Sequence, residues 1–203
     1  MLFKIFKGVD QTCSIPERSI FDNVHLLRDI FDYVEQKDLQ CAILSLDKVK
    51  AFDRVSHHYM FRVLSKFGFG PDFIEWVQLL YTDIKSSVLV NGFITLEIDV
   101  QRSVRQGCPL SMPLYVVQSE PFANRIRRDP EIKGLKIGNV EIKVSEYADD
   151  ANLVLTTEKS MKKALVICNL YTEASGAQLN LDKTYAIGLG RWKDNQFKIS
   201  GIR

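Results

Sequence analysis

Val144-Ser145-Glu146-Tyr147-Ala148-Asp149-Asp150-Ala151-Asn152-Leu153-Val154-Leu155 sets a polar tip, Asp149-Asp150, between Val144 and the apolar run Leu153-Val154-Leu155. The order reads as strand, tight turn, strand, with Asp149 and Asp150 at the end of a hairpin. Adjacent carboxylates repel and are costly to hold together unless a cation neutralises them. A third carboxylate lies far upstream: Asp47 ends the apolar run Ala42-Ile43-Leu44-Ser45-Leu46, which predicts a buried strand over about Gln40–Leu46. Carboxylates gathered at the ends of sheet strands make an oxygen-donor site for hard divalent ions such as magnesium. Asp47, Asp149 and Asp150 are therefore the candidate metal ligands, and magnesium on carboxylates serves phosphoryl and nucleotidyl transfer.

Outward from these strands, apolar spacing gives the remaining elements. Ile20, Val24, Leu27, Phe31 and Val34 recur at helical intervals and predict an amphipathic helix over about Ser19–Gln36. Two short helices follow, one with Phe61, Leu64 and Phe67 and one with Phe73, Val77 and Leu80, broken at Gly68-Phe69-Gly70-Pro71. Asn91-Gly92 between Val88-Leu89-Val90 and Phe93-Ile94 is a strong hairpin signal. Pro109 is placed to open a longer helix reaching Arg128, with Pro113 tolerated only in its first turn. Gly138-Asn139 marks another hairpin. Met161, Leu165, Cys168 and Tyr171 define a helix capped by Gly176, and a last strand is expected over about Thr184–Leu189. This order is an α+β pattern, helices on one face of an antiparallel sheet.

The 203 residues suit one domain with a real core, and a hydrophobic share of 46% with 26% charged is ordinary for a globular protein. A net charge of +2 does not by itself mark a nucleic-acid binder. Two local basic clusters stand out, Arg125, Arg127, Arg128, Lys133 and Lys136, then Lys159, Lys162 and Lys163; alone, each reads as a solvated helix face. Cys13, Cys41, Cys108 and Cys168 lack paired or zinc-type spacing and read as reduced thiols, which places the chain in cytoplasm or nucleus. His57-His58 at a helix start is expected to cap or face solvent. No stretch has the ~18 apolar residues of a membrane span, and Met1–Lys7 is too short and lysine-rich for a secretion signal.

Three motifs occur in order: Leu46-Asp47-Lys48-Val49-Lys50-Ala51-Phe52-Asp53, Arg105-Gln106-Gly107-Cys108-Pro109-Leu110-Ser111 and Tyr147-Ala148-Asp149-Asp150. Together they resemble the reverse transcriptase domain of LINE-type (non-LTR) retrotransposons, from about Asp10 to about Gly190. The resemblance implies a polymerase palm with part of a fingers subdomain, about residues 1–38 and 68–105 fingers-like and about 39–67 and 106–190 palm. It implies RNA-directed DNA polymerase chemistry, two-metal transfer onto a primer 3′-hydroxyl, with two magnesium ions (manganese as substitute) at Asp47 and Asp149, supported by Asp150. RNA template, DNA primer and deoxynucleoside triphosphates are the implied partners. Phe52 falls where the family places an aromatic sugar gate, a ring that leaves no room for a 2′-hydroxyl. Gln106 and Gly107 match the segment touching incoming nucleotide and template, Arg105 is placed for phosphate, and Tyr147 joins the substrate set. Ser175-Gly176-Ala177-Gln178-Leu179-Asn180-Leu181-Asp182-Lys183 resembles the next motif, whose lysine, here Lys183, is the proton donor to pyrophosphate. Asp10-Gln11 through Pro16-Glu17-Arg18-Ser19 resembles a segment before the palm, with Arg18 toward template.

The chain also departs from the family pattern. Val49 replaces a common glutamate, Glu17 a glycine and Met112 a proline. Lys48 sets a cation next to Asp47, which strand alternation should turn to the opposite face. Asp53 is expected to cap a helix or pair with Arg54. Family enzymes carry earlier fingers strands and a later thumb, so a longer polyprotein is expected around this chain. Two readings follow: an active polymerase domain, or a retrotransposon-derived fragment without catalysis, a relic or a nucleic-acid-binding module. A telomerase-type or intron-encoded enzyme fits the second motif and Ala51-Phe52-Asp53 less well.

Overall fold

The computed structural model describes residues 10–195 and Phe197, so the Met1–Lys7 segment lies outside the described residues. In chain order the elements are α1 (Ile20–Gln36), β1 (Gln40–Leu46), α2 (His57–Lys66), α3 (Pro71–Tyr81), and the two-residue strands β2 (Lys85–Ser86), β3 (Leu89–Val90), β4 (Phe93–Ile94) and β5 (Ile98–Asp99). Then come α4 (Ser111–Arg128), β6 (Leu135–Ile137), β7 (Val140–Ile142), β8 (Val144–Tyr147), β9 (Asp150–Leu155), α5 (Glu158–Ser175) and β10 (Tyr185–Gly190).

The main sheet has the order β10-β1-β9-β8, every pair antiparallel, with Leu44 of β1 facing Leu153 on one side and Ala186 on the other. Ala42, Leu44 and Leu46 join Ala151, Leu153 and Leu155 against Phe122 and Ile126 of α4 and Met161, Ala164 and Cys168 of α5. Cys41, Ile43, Val154 and Leu189 point the other way, onto Ile30 and Val34 of α1 and onto the β6–β7 hairpin through Leu135 and Ile142. α4 and α5 thus form the expected helical layer, and α1 with that hairpin adds a cover to the second face. The four consecutive buried apolar residues Cys41-Ala42-Ile43-Leu44 in β1 are the sequence's mark of a strand covered twice.

Several local expectations need correction. α1 buries only part of the stripe drawn from spacing: Val34 is buried and Leu27 half-buried, but Ile20, Val24 and Phe31 are exposed, with Asn23 and Ile30 buried instead. The helix turns about its axis because Asn23 finds polar partners on the sheet, Ser145 Oγ at 2.8 Å and the Glu146 carbonyl at 3.1 Å. α4 begins at Ser111 rather than Pro109, which puts Pro113 in the first turn; Pro121 sits mid-helix and does not end it. Eleven buried residues along α4 outweigh the hydrogen bond that proline forfeits. His57 is buried against Tyr81 and meets the Ser103 carbonyl at 2.8 Å, so it neither caps nor faces solvent; its pKa is lowered by burial, against that carbonyl contact. Ser56 supplies the cap of α2. Asp53 accepts from Gln106 Nε2 at 3.5 Å, and Arg54 Nε donates to the Gly176 carbonyl at 3.3 Å.

Candidate active site

Asp149 occupies the β8–β9 turn with Ala148, because Tyr147 pairs with Asp150 across the hairpin. β1 pairs with β9 as far as Leu46 opposite Ala151, so one step further sets Asp47 beside Asp150 at the same end of the sheet. Asp47 and Asp149 are half-buried and Asp150 is exposed. Asp150 feels both others: burial raises its pKa first, then the charges of Asp149 and Asp47 raise it further, with Lys48 opposing. Among the described residues no three Asp, Glu, His or Cys side chains already converge tightly enough to enclose an ion. The donor chemistry nevertheless fits a hard cation, since mutual repulsion among oxygen donors is what such a charge relieves.

Asp47 and the residue before Asp149 are held through their backbones. The Asp47 N–H donates to Thr184 Oγ1 at 3.2 Å and its carbonyl accepts from the Asn180 N–H at 2.9 Å. The loop before β10 therefore clasps Asp47, and exposed Lys183 precedes the buried Thr184 directly. On the other side, Gln11 bonds Ala148, and Arg18 Nη1 donates to the Gln11 carbonyl at 2.8 Å. Arg18 thus reaches the chain's own backbone beneath the turn.

The Phe52 ring stacks on Tyr115 with centroids 4.3 Å apart. Tyr115 is buried, and its pKa is pushed well above the ordinary value, first by burial, then by the charges of Tyr171, Asp149, Glu146 and Asp150. Phe52 is thus seated on a ring that senses the carboxylates. Arg105, Gln106 and Gly107 are exposed; Gly107 has φ +82° and open space where a Cβ would stand. A side chain there would be strained and would intrude on the open face.

Beneath the carboxylates lies a buried charge cluster. Lys48 does turn to the opposite face, its Nζ 5.9–6.0 Å from the ring centroids of Tyr115, Phe122 and Tyr171. Glu146 is 1% exposed, and its pKa is raised to about 7, chiefly by burial, with Lys48 opposing. Lys48 Nζ and both Glu146 carboxylate oxygens lack a hydrogen-bond partner among the described residues. Arg127 pairs with Asp10 and with Glu120, the latter at 2.6 Å, and Lys163 pairs with Glu131 at 2.7 Å. Part of the first basic cluster is therefore spent inside the fold, and part of the second is paired at the surface. Gln11, Tyr115, Glu146 and Thr184 escaped sequence reading because nothing in a lone Gln, Tyr, Glu or Thr marks its burial beside a distant turn; only the Asp10-Gln11 segment carried a signal.

A palm-type sheet with this hairpin defines a polymerase class, and the comparisons agree. Residues 7–203 match the model of the family "Reverse transcriptase (RNA-dependent DNA polymerase)", and the chain belongs to that family. It is 37% identical over 184 residues to the transposon TX1 uncharacterized 149 kDa protein of Xenopus laevis, covering 91% of this chain and 14% of that protein. It is 27% identical over 175 residues to the Pol polyprotein of the type-2 retrotransposable element R2DM of Drosophila melanogaster, covering 86% and 16%. The relatives bear out the resemblance to non-LTR elements, and the chain spans 14–27% of their lengths. Among solved structures, apo telomerase from Candida Tropicalis matches with a TM-score of 0.66 at 13% identity, over 94% of this chain and 35% of that one. At that identity the likeness is one of fold. No helix among the described residues is long and apolar enough to cross a membrane.

Proposed function

We propose that this chain is the palm and part of the fingers of an RNA-directed DNA polymerase that extends a DNA primer on an RNA template with deoxynucleoside triphosphates. Residues 39–67 and 106–190 form the palm in this reading, and 1–38 and 68–105 belong to the fingers. The meeting of Asp47 with the Asp149-Asp150 turn at one sheet end carries it. Asp47 and Asp149, with Asp150 in support, hold two divalent cations, magnesium or manganese. When bound, these supply the charge that activates the primer 3′-hydroxyl and stabilises the leaving oxygens. Phe52 lies under the sugar, backed by Tyr115, and excludes a 2′-hydroxyl by contact. Gly107 leaves its backbone open to the nucleotide beside Gln106, Arg105 and Tyr147 meet the substrate, and Lys183 delivers a proton to pyrophosphate. Arg18 acts near the template end through the Gln11 carbonyl it holds.

Primer extension on an RNA template with magnesium tests this. Extension by the wild type that is abolished in Asp149→Asn is the expected result, with ribonucleotide incorporation rising in Phe52→Val. Extension that survives Asp149→Asn refutes the assignment. The departures at Glu17, Val49 and Met112 from the family pattern favour a second reading, a nucleic-acid-binding palm without catalysis. A folded chain that binds primer–template and extends nothing in magnesium or manganese supports that one.

A further inference from the structure

Gln11 is 2% exposed and its side chain closes on the carboxylate turn from outside the hairpin. Its Oε1 accepts from the Ala148 N–H at 3.1 Å and from the Cys13 N–H at 2.9 Å, while its Nε2 donates to the Ala148 carbonyl at 3.4 Å. Ala148 is itself buried and holds φ +53°. That left-handed conformation costs an alanine about 1–2 kcal/mol, and hairpin turns that need it usually take Asn or Gly. Ala148-Asp149 has neither, so its own residues do not select this turn. The hold comes from Gln11.

Gln11 is fixed in turn. The Glu146 N–H donates to the Asp10 carbonyl at 2.8 Å and the Thr12 N–H donates to the Glu146 carbonyl at 3.1 Å, which lays residues 10–12 parallel along the free edge of β8. Arg18 anchors the Gln11 carbonyl, and Thr12 Oγ1 bonds Asn23 of α1. A segment more than 130 positions upstream thereby sets the backbone of the residue preceding Asp149.

We propose that Gln11 is a positioning residue: its two bonds to Ala148 hold Asp149 in register with Asp47. This rests on the reading of Asp149 as a metal ligand. Without the clamp, Ala148 relaxes toward negative φ and swings Asp149 away from Asp47.

The test uses the whole chain as wild type, Gln11→Met and Asp149→Asn, with Mn2+ affinity and amide hydrogen exchange as readouts. Methionine keeps the volume and removes both bonds to Ala148 together with the one to the Cys13 N–H. In Gln11→Met we expect Mn2+ affinity to fall about tenfold or more, the scale for losing a residue that orients a ligand. The Ala148 amide should exchange at least tenfold faster while Leu44 and Leu153 amides keep their rates. Unchanged Mn2+ affinity in Gln11→Met, with Asp149→Asn weakened, overturns the clamp and leaves the metal site standing. Equal acceleration of all amides also overturns it, since Gln11 would then serve only global stability. Affinity indifferent to Asp149→Asn as well removes the metal site and the clamp together.

Discussion

Two ends of this molecule are built on opposite terms. At the carboxylate end, four strands pair in one sheet, both faces are covered, and Gln11, Thr184 and Asn180 fix the backbone around Asp47 and Ala148. Between α3 and α4, β2 to β5 are two-residue strands in two separate pairs, and every residue of them is exposed. Leu89, Phe93, Ile94 and Leu96 stand 68–90% accessible there. A short hairpin without a covered face is marginal in water; a sheet with two covered faces holds a carboxylate turn that its own residues do not favour. The Ala148-Asp149 conformation is thus supported from a distant segment, Gln11 along the free edge of β8, and not by the turn's own residues.

The sharpest way to break that contrast is to truncate a leucine at each end. Leu44 is fully buried between α4, α5 and both neighbouring strands, so Leu44→Ala should cost about 3 kcal/mol in denaturant unfolding. Leu96 is 90% exposed, and Leu96→Ala should change stability by less than about 0.5 kcal/mol. Comparable costs would mean that the outer hairpins belong to the same cooperative unit as the sheet.

The same contrast governs what was legible in the sequence. Local signals survived: Asn91-Gly92 turns a hairpin at φ +48° and +86°, Gly176 caps α5, and the strand before the carboxylate turn ends at Tyr147. Asp47 and Asp149 stood out because chemistry that needs paired carboxylates restricts residue type, and the β1–β9 pairing brings them to one end of the sheet. Contacts across long sequence separations were not legible. The rotation of α1 follows from Asn23 meeting Ser145, and no periodicity encodes that pairing. Strand alternation turns Lys48 away from Asp47, but the three aromatic rings it meets there, from α4 and α5, leave no signal in its own segment. His57 went the same way, its neighbours Tyr81 and Ser103 being set by α3 and the strand region rather than by its own helix.

Glu146 offers a second test, of what the braced end costs. Its pKa stands near 7 in the folded protein against 4.5 when solvated, because burial disfavours its charge. Between those values the folded state holds a proton the unfolded state has released, so stability falls as pH rises from about 4.5 to 7. The full effect is at most about 3 kcal/mol. Asp10 and Glu120 are likewise raised by burial and act in the same direction, while the charges of Lys48 and Arg127 temper Glu146. Unfolding free energies at pH 5 and pH 7.5 should differ clearly in the wild type and much less in Glu146→Gln. Identical slopes in the two proteins would show that Glu146 is not the group that titrates.

The smallest effect lies on the bracing segment itself. Glu17 holds φ +65° at an exposed position between Pro16 and Arg18, where the family commonly has glycine. The strain of about 1–2 kcal/mol for a side chain in that region is offset in part by the larger unfolded-state freedom a glycine would add, about 0.5–1 kcal/mol. Glu17→Gly should therefore raise stability by roughly 0.5 kcal/mol, read as a rise of about 1–2 °C in Tm. Because Arg18 follows directly and anchors the Gln11 carbonyl, the relieved backbone should also slow Ala148 amide exchange slightly. A fall in Tm would mean that the Glu17 side chain holds the segment in place, and that the strain under the carboxylate turn is confined to Ala148.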